Sequence, residues 1–246
     1  MRSPTLTTVS LNNTTVVVLG GSSGIGLATA KAARAEGAHV VVTGRSAERL
    51  ASAKRELGDD VRTVVLDAAD ESGTRALFQG LDAVHHVFIT VGTVTRDARL
   101  APDSESIRPA MDMRFWGALY AAKHAAPRMN GRGSITFMSG TAAARPIAGA
   151  SVASASCGAI EAFARALAVD LAPIRVNAVQ PGFVDTPLLA EVLGPQRPEV
   201  LTATAARLPV GRVGRPEDIA DAVLFLMKNG YVTGISLRID GGGLLV

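Results

Sequence analysis

The stretch TTVVVLGGSSGIGLATAKAARAEG, residues 14–37, decides the fold. It opens with an apolar, valine-rich run of strand length, 14–19. It turns through LGGSSGIG, 19–26, and continues as a small-residue helical pattern over 26–37, closed by Gly37. A buried strand, a glycine-rich turn and a helix, in that order, form a cradle for phosphate. Gly20 permits the tight turn, Gly24 lets backbone approach an anion, and Gly26 lets the helix pack close to the sheet. Free N–H groups at the helix start point at the anion, so Gly20, Ser22, Ser23, Gly24, Ile25 and Gly26 are the candidate phosphate contacts.

The same alternation continues along the chain. Strand-length apolar runs fall at 39–44, 61–67, 85–92, 134–140, 174–182 and 235–240. Helical patterns fall at 47–57, 160–172 and 218–228. Continuous Val/Ile-rich strands separated by helices predict a parallel sheet covered on both faces. Right-handed crossovers make that an α/β doubly wound sheet, a Rossmann fold, in one domain spanning 14–246. Residues 1–13 are expected to form a loosely ordered tail. Residues 187–213 are Pro-bearing and weakly patterned, and a long excursion of this kind is expected to act as a substrate lid.

Composition bounds the function. The chain has 246 residues, 48% of them hydrophobic and only 4% aromatic, with a formal charge of +3. That is enough for one sizeable core of small residues. No basic run or aromatic-basic interleaving supports nucleic-acid binding. A single cysteine excludes an internal disulfide. The N-terminal residues lack the apolar core of a secretory signal, and no apolar run reaches membrane-spanning length. A soluble, cytoplasmic protein with no membrane partner is expected. His85 and His86 open a strand, and a pair alone does not make a metal site, so no metal is expected.

The glycine spacing Gly-x-x-x-Gly-x-Gly resembles that of the short-chain dehydrogenase/reductase (SDR) superfamily. The resemblance extends over 14–243 through LDAAD (66–70), IRVNAVQPGFVDTP (174–187), GRPEDIADAVLFL (214–226) and the closing RIDGG (238–242). It implies a nicotinamide dinucleotide cofactor. The carboxylate that holds the ribose 2′-OH of NAD would stand at Gly44, which has no side chain to offer. Arg45 follows, and a guanidinium there pairs with a 2′-phosphate, which favours NADP(H) over NAD(H). The resemblance sets Asp67 and Ala68 beside the adenine. It sets Pro181, Gly182, Val184 and Thr186 along the nicotinamide. The family's Asn-Asn-Ala-Gly becomes Ile89-Thr90-Val91-Gly92, retaining only Gly92; Thr90 is a ribose contact or strand-end packing.

The family's catalytic tetrad of Asn, Ser, Tyr and Lys is missing. In it, Tyr and Lys at i and i+4 share a helix face. The ammonium lowers the Tyr pKa and grips the nicotinamide ribose, and Tyr donates a proton as hydride arrives. Reading back from LAPIRVNAVQPG puts the Lys position at Cys157, the Tyr position at Ala153, the Ser position at Gly140 and the Asn position at Arg114. The chain's two tyrosines, Tyr120 and Tyr231, have no lysine four residues on. No shift of register restores the pair.

Two residues remain as catalytic candidates. Ser139 can touch a substrate oxygen, or be a strand-end hydroxyl satisfied by backbone. Arg114 can stabilise an oxyanion, or hold a carboxylate such as Asp112. Cys157 reads as a buried thiol, His124 as helix surface or subunit interface, and Ser151, Ser154 and Ser156 as pocket lining or helix packing. Three functions fit. One is an NADP(H)-dependent oxidoreductase on an unidentified small molecule, using a relocated acid, water, or a substrate that needs no strong acid. The second is a non-catalytic cofactor sensor or partner subunit. The third is a cofactor-assisted lyase or isomerase. The resemblance also implies a homo-oligomer, a tetramer or dimer.

Overall fold

The computed structural model describes residues 10–92, 103–146 and 148–246. Seven parallel strands form one sheet: β1 (Thr15–Leu19), β2 (His39–Gly44), β3 (Arg62–Val65), β4 (His86–Ile89), β5 (Ser134–Met138), β6 (Arg175–Pro181) and β7 (Ser236–Ile239). Their order is β3-β2-β1-β4-β5-β6-β7. The chain reverses direction across the sheet between β1 and β4, and that switch point opens a crevice at the strands' carboxyl ends. This is the expected single-domain Rossmann-like α/β fold.

Alternation along β1 separates the two halves of the core. Val17 and Leu19 face one side, with Phe78, Ala118, Ala121, Ala122, Ala125 and Ile160. Val16 and Val18 face the other, with Ala30, Ala33, Leu50, Val223 and Leu226. The helices follow: α1 (Gly24–Ala35), α2 (Ala47–Leu57), α3 (Glu71–Gln79), α4 (Ser104–Met111), α5 (Gly117–Ala125), α6 (Ser151–Asp170), α7 (Pro187–Leu193), α8 (Arg197–Arg207) and α9 (Pro216–Lys228). Ala and Gly let α1 lie close to α9 and to the sheet. A Cβ at Gly26 would sit 2.2 Å from the Gly20 carbonyl oxygen, so only glycine fits there.

Several expectations need correction. Of the tail expected over 1–13, residues 1–9 lie outside the described residues, and the rest is not loose: Leu11 is fully buried and Asn13 N–H donates to the Gly37 carbonyl at 3.0 Å. The long helix expected over 160–172 begins nine residues earlier, at Ser151, because SVASASCG is helical despite its serines and glycine. Among the described residues α6 alone is long and apolar enough to cross a membrane by length and composition, and it packs on β5 and β6. Helix α3 was not foreseen; Asp70 caps it by accepting from Ser72 N–H at 2.9 Å. The excursion at 187–213 is itself helical, as α7 and α8. Between α4 and α5 lies a π-helical turn, Asp112–Trp116. Such turns inside a helical run occur often at functional sites.

Candidate functional site

A cleft of about 1390 Å³ runs along the carboxyl ends of the strands. One end is the β1–α1 loop. Gly20 has φ +90° and Gly24 φ +53°, left-handed conformations that glycine adopts without strain. Gly20 and Gly21 N–H both donate to the Thr43 carbonyl, at 3.1 and 3.0 Å, which ties the loop to β2. Ser23 is extended and makes no side-chain cap, and the first turn of α1 carries no acidic residue. The helix start is therefore an electropositive terminus whose donors no side chain occupies. Ser22, Ser23, Gly24 and Ile25 all line the cleft; Gly26 is buried behind them.

The next section is lined by Gly44, Arg45, Asp67 and Ala68. A Cβ on Gly44 would meet Ser22 Oγ at 2.9 Å and Ser22 Cβ at 3.2 Å. A side chain there needs the Ser22 side chain to give way. Arg45 is exposed, and its Nη1 reaches 3.6 Å from the Met113 sulfur. Asp67 Oδ1 accepts from Ala69 N–H at 3.0 Å, and Ala68 is buried against Gly117. Thr90 Oγ1 donates to the Gly20 carbonyl at 3.3 Å, so it supports the loop as well as lining the cleft.

The far wall carries Pro181, Gly182, Val184 and Thr186. Gly182 is bare because a Cβ would stand 2.7 Å from Asp240 Cα. Thr186 Oγ1 caps α7 by accepting from Leu189 N–H at 3.2 Å. Helix α7 closes over this side. Glu191 on α7 pairs with Arg49 on α2 at 2.9 Å, and both line the cleft. Asp185 holds Arg197, at the start of α8, through both carboxylate oxygens.

At the closed end, Ala153, Cys157 and Gly140 leave a hollow. Arg114, projecting from the π-helical turn, reaches into it. Its Nη1 lies 3.4 Å from Cys157 Sγ, 3.4 Å from the Ser139 carbonyl and 3.5 Å from the Met138 carbonyl. No ion pair joins it to Asp112 among the described residues. Its Nε is buried without a partner. The Ser139 hydroxyl is spent elsewhere: it lies 2.7 Å from Glu161 Oε1 and 3.2 Å from the Cys157 carbonyl. Gln180 Nε2 donates to the same Glu161 oxygen at 2.9 Å. Ser139 thus has its one proton directed away from the cleft. Glu161 was not singled out from the sequence; its place four residues after Cys157, on the same face of α6, was the available signal.

Comparison with known proteins gives the family. A family model described as enoyl-(acyl carrier protein) reductase matches residues 20–243. The short-chain dehydrogenase/reductase MalC of Malbranchea aurantiaca is 33% identical, over 96% of each chain. Its solved structure, described as that of a reductase/Diels-Alderase, superposes with a TM-score of 0.89 at 32% identity, covering 96% of this chain and 98% of that one. The chain belongs to the SDR superfamily. An SDR relative from Lentilactobacillus kefiri, an NADP-dependent (R)-specific alcohol dehydrogenase, is 32% identical over 94% of this chain and 97% of its own. A solved small-chain dehydrogenase in complex with NADPH superposes with a TM-score of 0.80 at 36% identity, covering 96% of this chain and all of the other.

The remaining candidates of this SDR chain lie away from the cleft. His85 Nδ1 accepts from Thr15 N–H at 3.0 Å, and His86 Nδ1 is 2.9 Å from Ser134 Oγ, so both serve the sheet at the strands' starts. No cluster of metal-ligating residues occurs among the described residues. Lys123 and His124 both bind Glu71 of α3, at 2.7 and 3.1 Å. Ser156 Oγ donates to the Ala153 carbonyl at 2.8 Å, which is helix packing.

Proposed function

We propose that this SDR protein is an NADP(H)-dependent oxidoreductase whose site holds a fixed positive charge and draws its proton from water. The observation that carries the proposal is the continuity of the cleft, from the free start of α1 to the Arg114 guanidinium. The residues present fit the cofactor. The β1–α1 cradle would take its pyrophosphate, Arg45 its 2′-phosphate, and Asp67 and Ala68 its adenine. Gly44 offers no carboxylate for the ribose 2′-OH that an NAD site holds. The NADP-dependent relative and the NADPH-bound neighbour support the same choice. When bound, the cofactor supplies or accepts hydride. Arg114 sets a positive charge beside the reacting end, α7 and α8 act as a lid, and water supplies the proton that no side chain offers. Loss of a general acid costs about 10²–10⁴-fold in rate, so simple ketones are expected to be poor substrates. A second reading, non-redox conversion of a substrate in the same cleft, is favoured by the absent acid and by the likeness to MalC, a reductase that is also described as a Diels-Alderase.

Calorimetric titration with NADPH and NADH tests the first reading. NADPH is expected to bind more tightly. Arg45→Ala is expected to weaken NADPH about tenfold, the worth of one charge-assisted pair at an exposed position, and to leave NADH unchanged. Binding of neither dinucleotide would leave a scaffold or partner subunit as the better function. Tight NADPH binding combined with substrate conversion that consumes no NADPH would favour the non-redox reading.

A further inference from the structure

At the α6 end of the cleft stands a cation carried by the turn between α4 and α5, Arg114. This inference rests on the NADP(H) reading above and deepens it. In the SDR pattern the charge that grips the nicotinamide ribose stands on α6, at the position held here by Cys157. That thiol is buried, and the Arg114 guanidinium lies against it, 3.4 Å from Sγ. Space that a lysine stem would need at position 157 is thereby filled by the head of an arginine from the turn between α4 and α5. The path of that arginine is specific. Its Nη2 passes over Gly92, where a Cβ would come within 2.9 Å of it. Its contacts with the carbonyls of Met138 and Ser139 are 3.5 and 3.4 Å, longer than well-formed hydrogen bonds, and its Nε has none. Among the described residues lining the cleft, the other cations, Arg45 and Arg49, belong to the phosphate end.

We infer that Arg114 holds the nicotinamide ribose, doing from the α4–α5 turn what a lysine on α6 does in the family pattern. The chemistry fits. A ribose diol presents two adjacent oxygens, and a guanidinium is a planar fork of donors that bonds two acceptors at once. Arg114 retains donors that the protein does not satisfy. It is a cofactor-positioning residue, and the residues at 92, 114 and 157 form one arrangement. Gly92 leaves room for the guanidinium, and the short Cys157 side chain leaves room for its tip.

The test compares two probes on the full chain. NADPH carries the nicotinamide ribose; adenosine 2′,5′-bisphosphate carries adenosine, the 2′-phosphate and one phosphate of the pyrophosphate, but lacks the second phosphate, the nicotinamide and its ribose. Arg114→Ala is expected to weaken NADPH about ten- to a hundredfold while leaving bisphosphate affinity unchanged, which also shows that the variant is folded. Arg114→Lys is expected to fall between the two, keeping the charge without the fork. The double variant Arg114→Asn with Cys157→Lys, which returns the cation to α6, is expected to recover most of the lost NADPH affinity. Unchanged NADPH binding in Arg114→Ala would overturn the inference and assign the guanidinium to substrate. Equal weakening of both probes would overturn it in favour of a structural role. If wild-type protein binds neither probe, the cofactor reading itself falls, and the inference with it.

Discussion

Lowering the pH from 6.5 to 5 is expected to destabilise the protein through one buried side chain, His86. It stands on β4, between Val16 of β1 and Ser134 of β5, and is 5% exposed. Burial first, then the Arg175 and His85 charges, push its pKa from 6.5 down to about 3. The folded protein therefore keeps His86 neutral across this range, while the unfolded chain takes up a proton below pH 6.5. The unfolded state binds more protons, so stability rises with pH: it is fully present above about 6.5 and is lost progressively toward 3. At about 1.4 kcal/mol per pH unit, and allowing for half-titration of the unfolded chain at the upper limit, the loss by pH 5 is about 1.6 kcal/mol. Asp60, Asp70, Glu71 and Asp218 have lowered pKa values, and their contributions fade below this window. Urea unfolding at constant ionic strength, in half-unit pH steps, measures the slope. His86→Gln, which has no charge to gain and still reaches Ser134, is expected to be less stable overall with a flat profile. A wild-type change under about 0.5 kcal/mol across the window, or an equal slope in the variant, would refute the reasoning.

Two further outcomes follow from the cleft. Gly26→Ala drives a methyl group to 2.2 Å from the Gly20 oxygen, so the phosphate loop must move; NADPH binding is expected to be lost by calorimetry, with about 1–3 kcal/mol of stability. Glu191→Gln releases the exposed pair with Arg49 that fastens α7 across the cleft. Such a pair is worth about 0–1 kcal/mol, so the melting temperature is expected to stay within a degree or two while stopped-flow NADPH association and release both quicken.

The fold was legible because its signals are local. Val16 to Leu19 and Val40 to Val42 are strand-length runs buried on both faces, and the turn at Gly20 and Gly24 needs the positive φ that glycine supplies. Signals failed where packing outweighed local preference. The start of α6 carries serines and a glycine that favour other conformations, yet Ser156 and Cys157 are buried there against the sheet. Helix α3 is short and polar, and only Asp70 and its bond to Ser72 mark its start. The break between α4 and α5 is a π-helical turn, which no hydrophobic period announces.

The cofactor half of the site follows the same rule, since Gly20 to Gly26 and Arg45 sit within single loops. The reacting end does not. Register set the expectation of four replaced positions, but not that Arg114 lies on a cysteine 43 positions away, nor that Ser139 is turned onto Glu161. The replaced positions also differ among themselves in a way only geometry shows. A Cβ at Gly140 would meet Cys157 Sγ at an ordinary 3.5 Å, so a serine fits and its absence is a chemical change rather than a steric one. Position 157 is the opposite case, because a lysine there competes with the guanidinium for one space. A site that had only lost function would leave that space empty or fill it with apolar side chains. Here it is filled by a cation with a buried Nε that has no partner, which costs about 1–3 kcal/mol when nothing binds it. Comparing NADPH with the bisphosphate in Arg114→Ala decides whether that cation serves a bound cofactor.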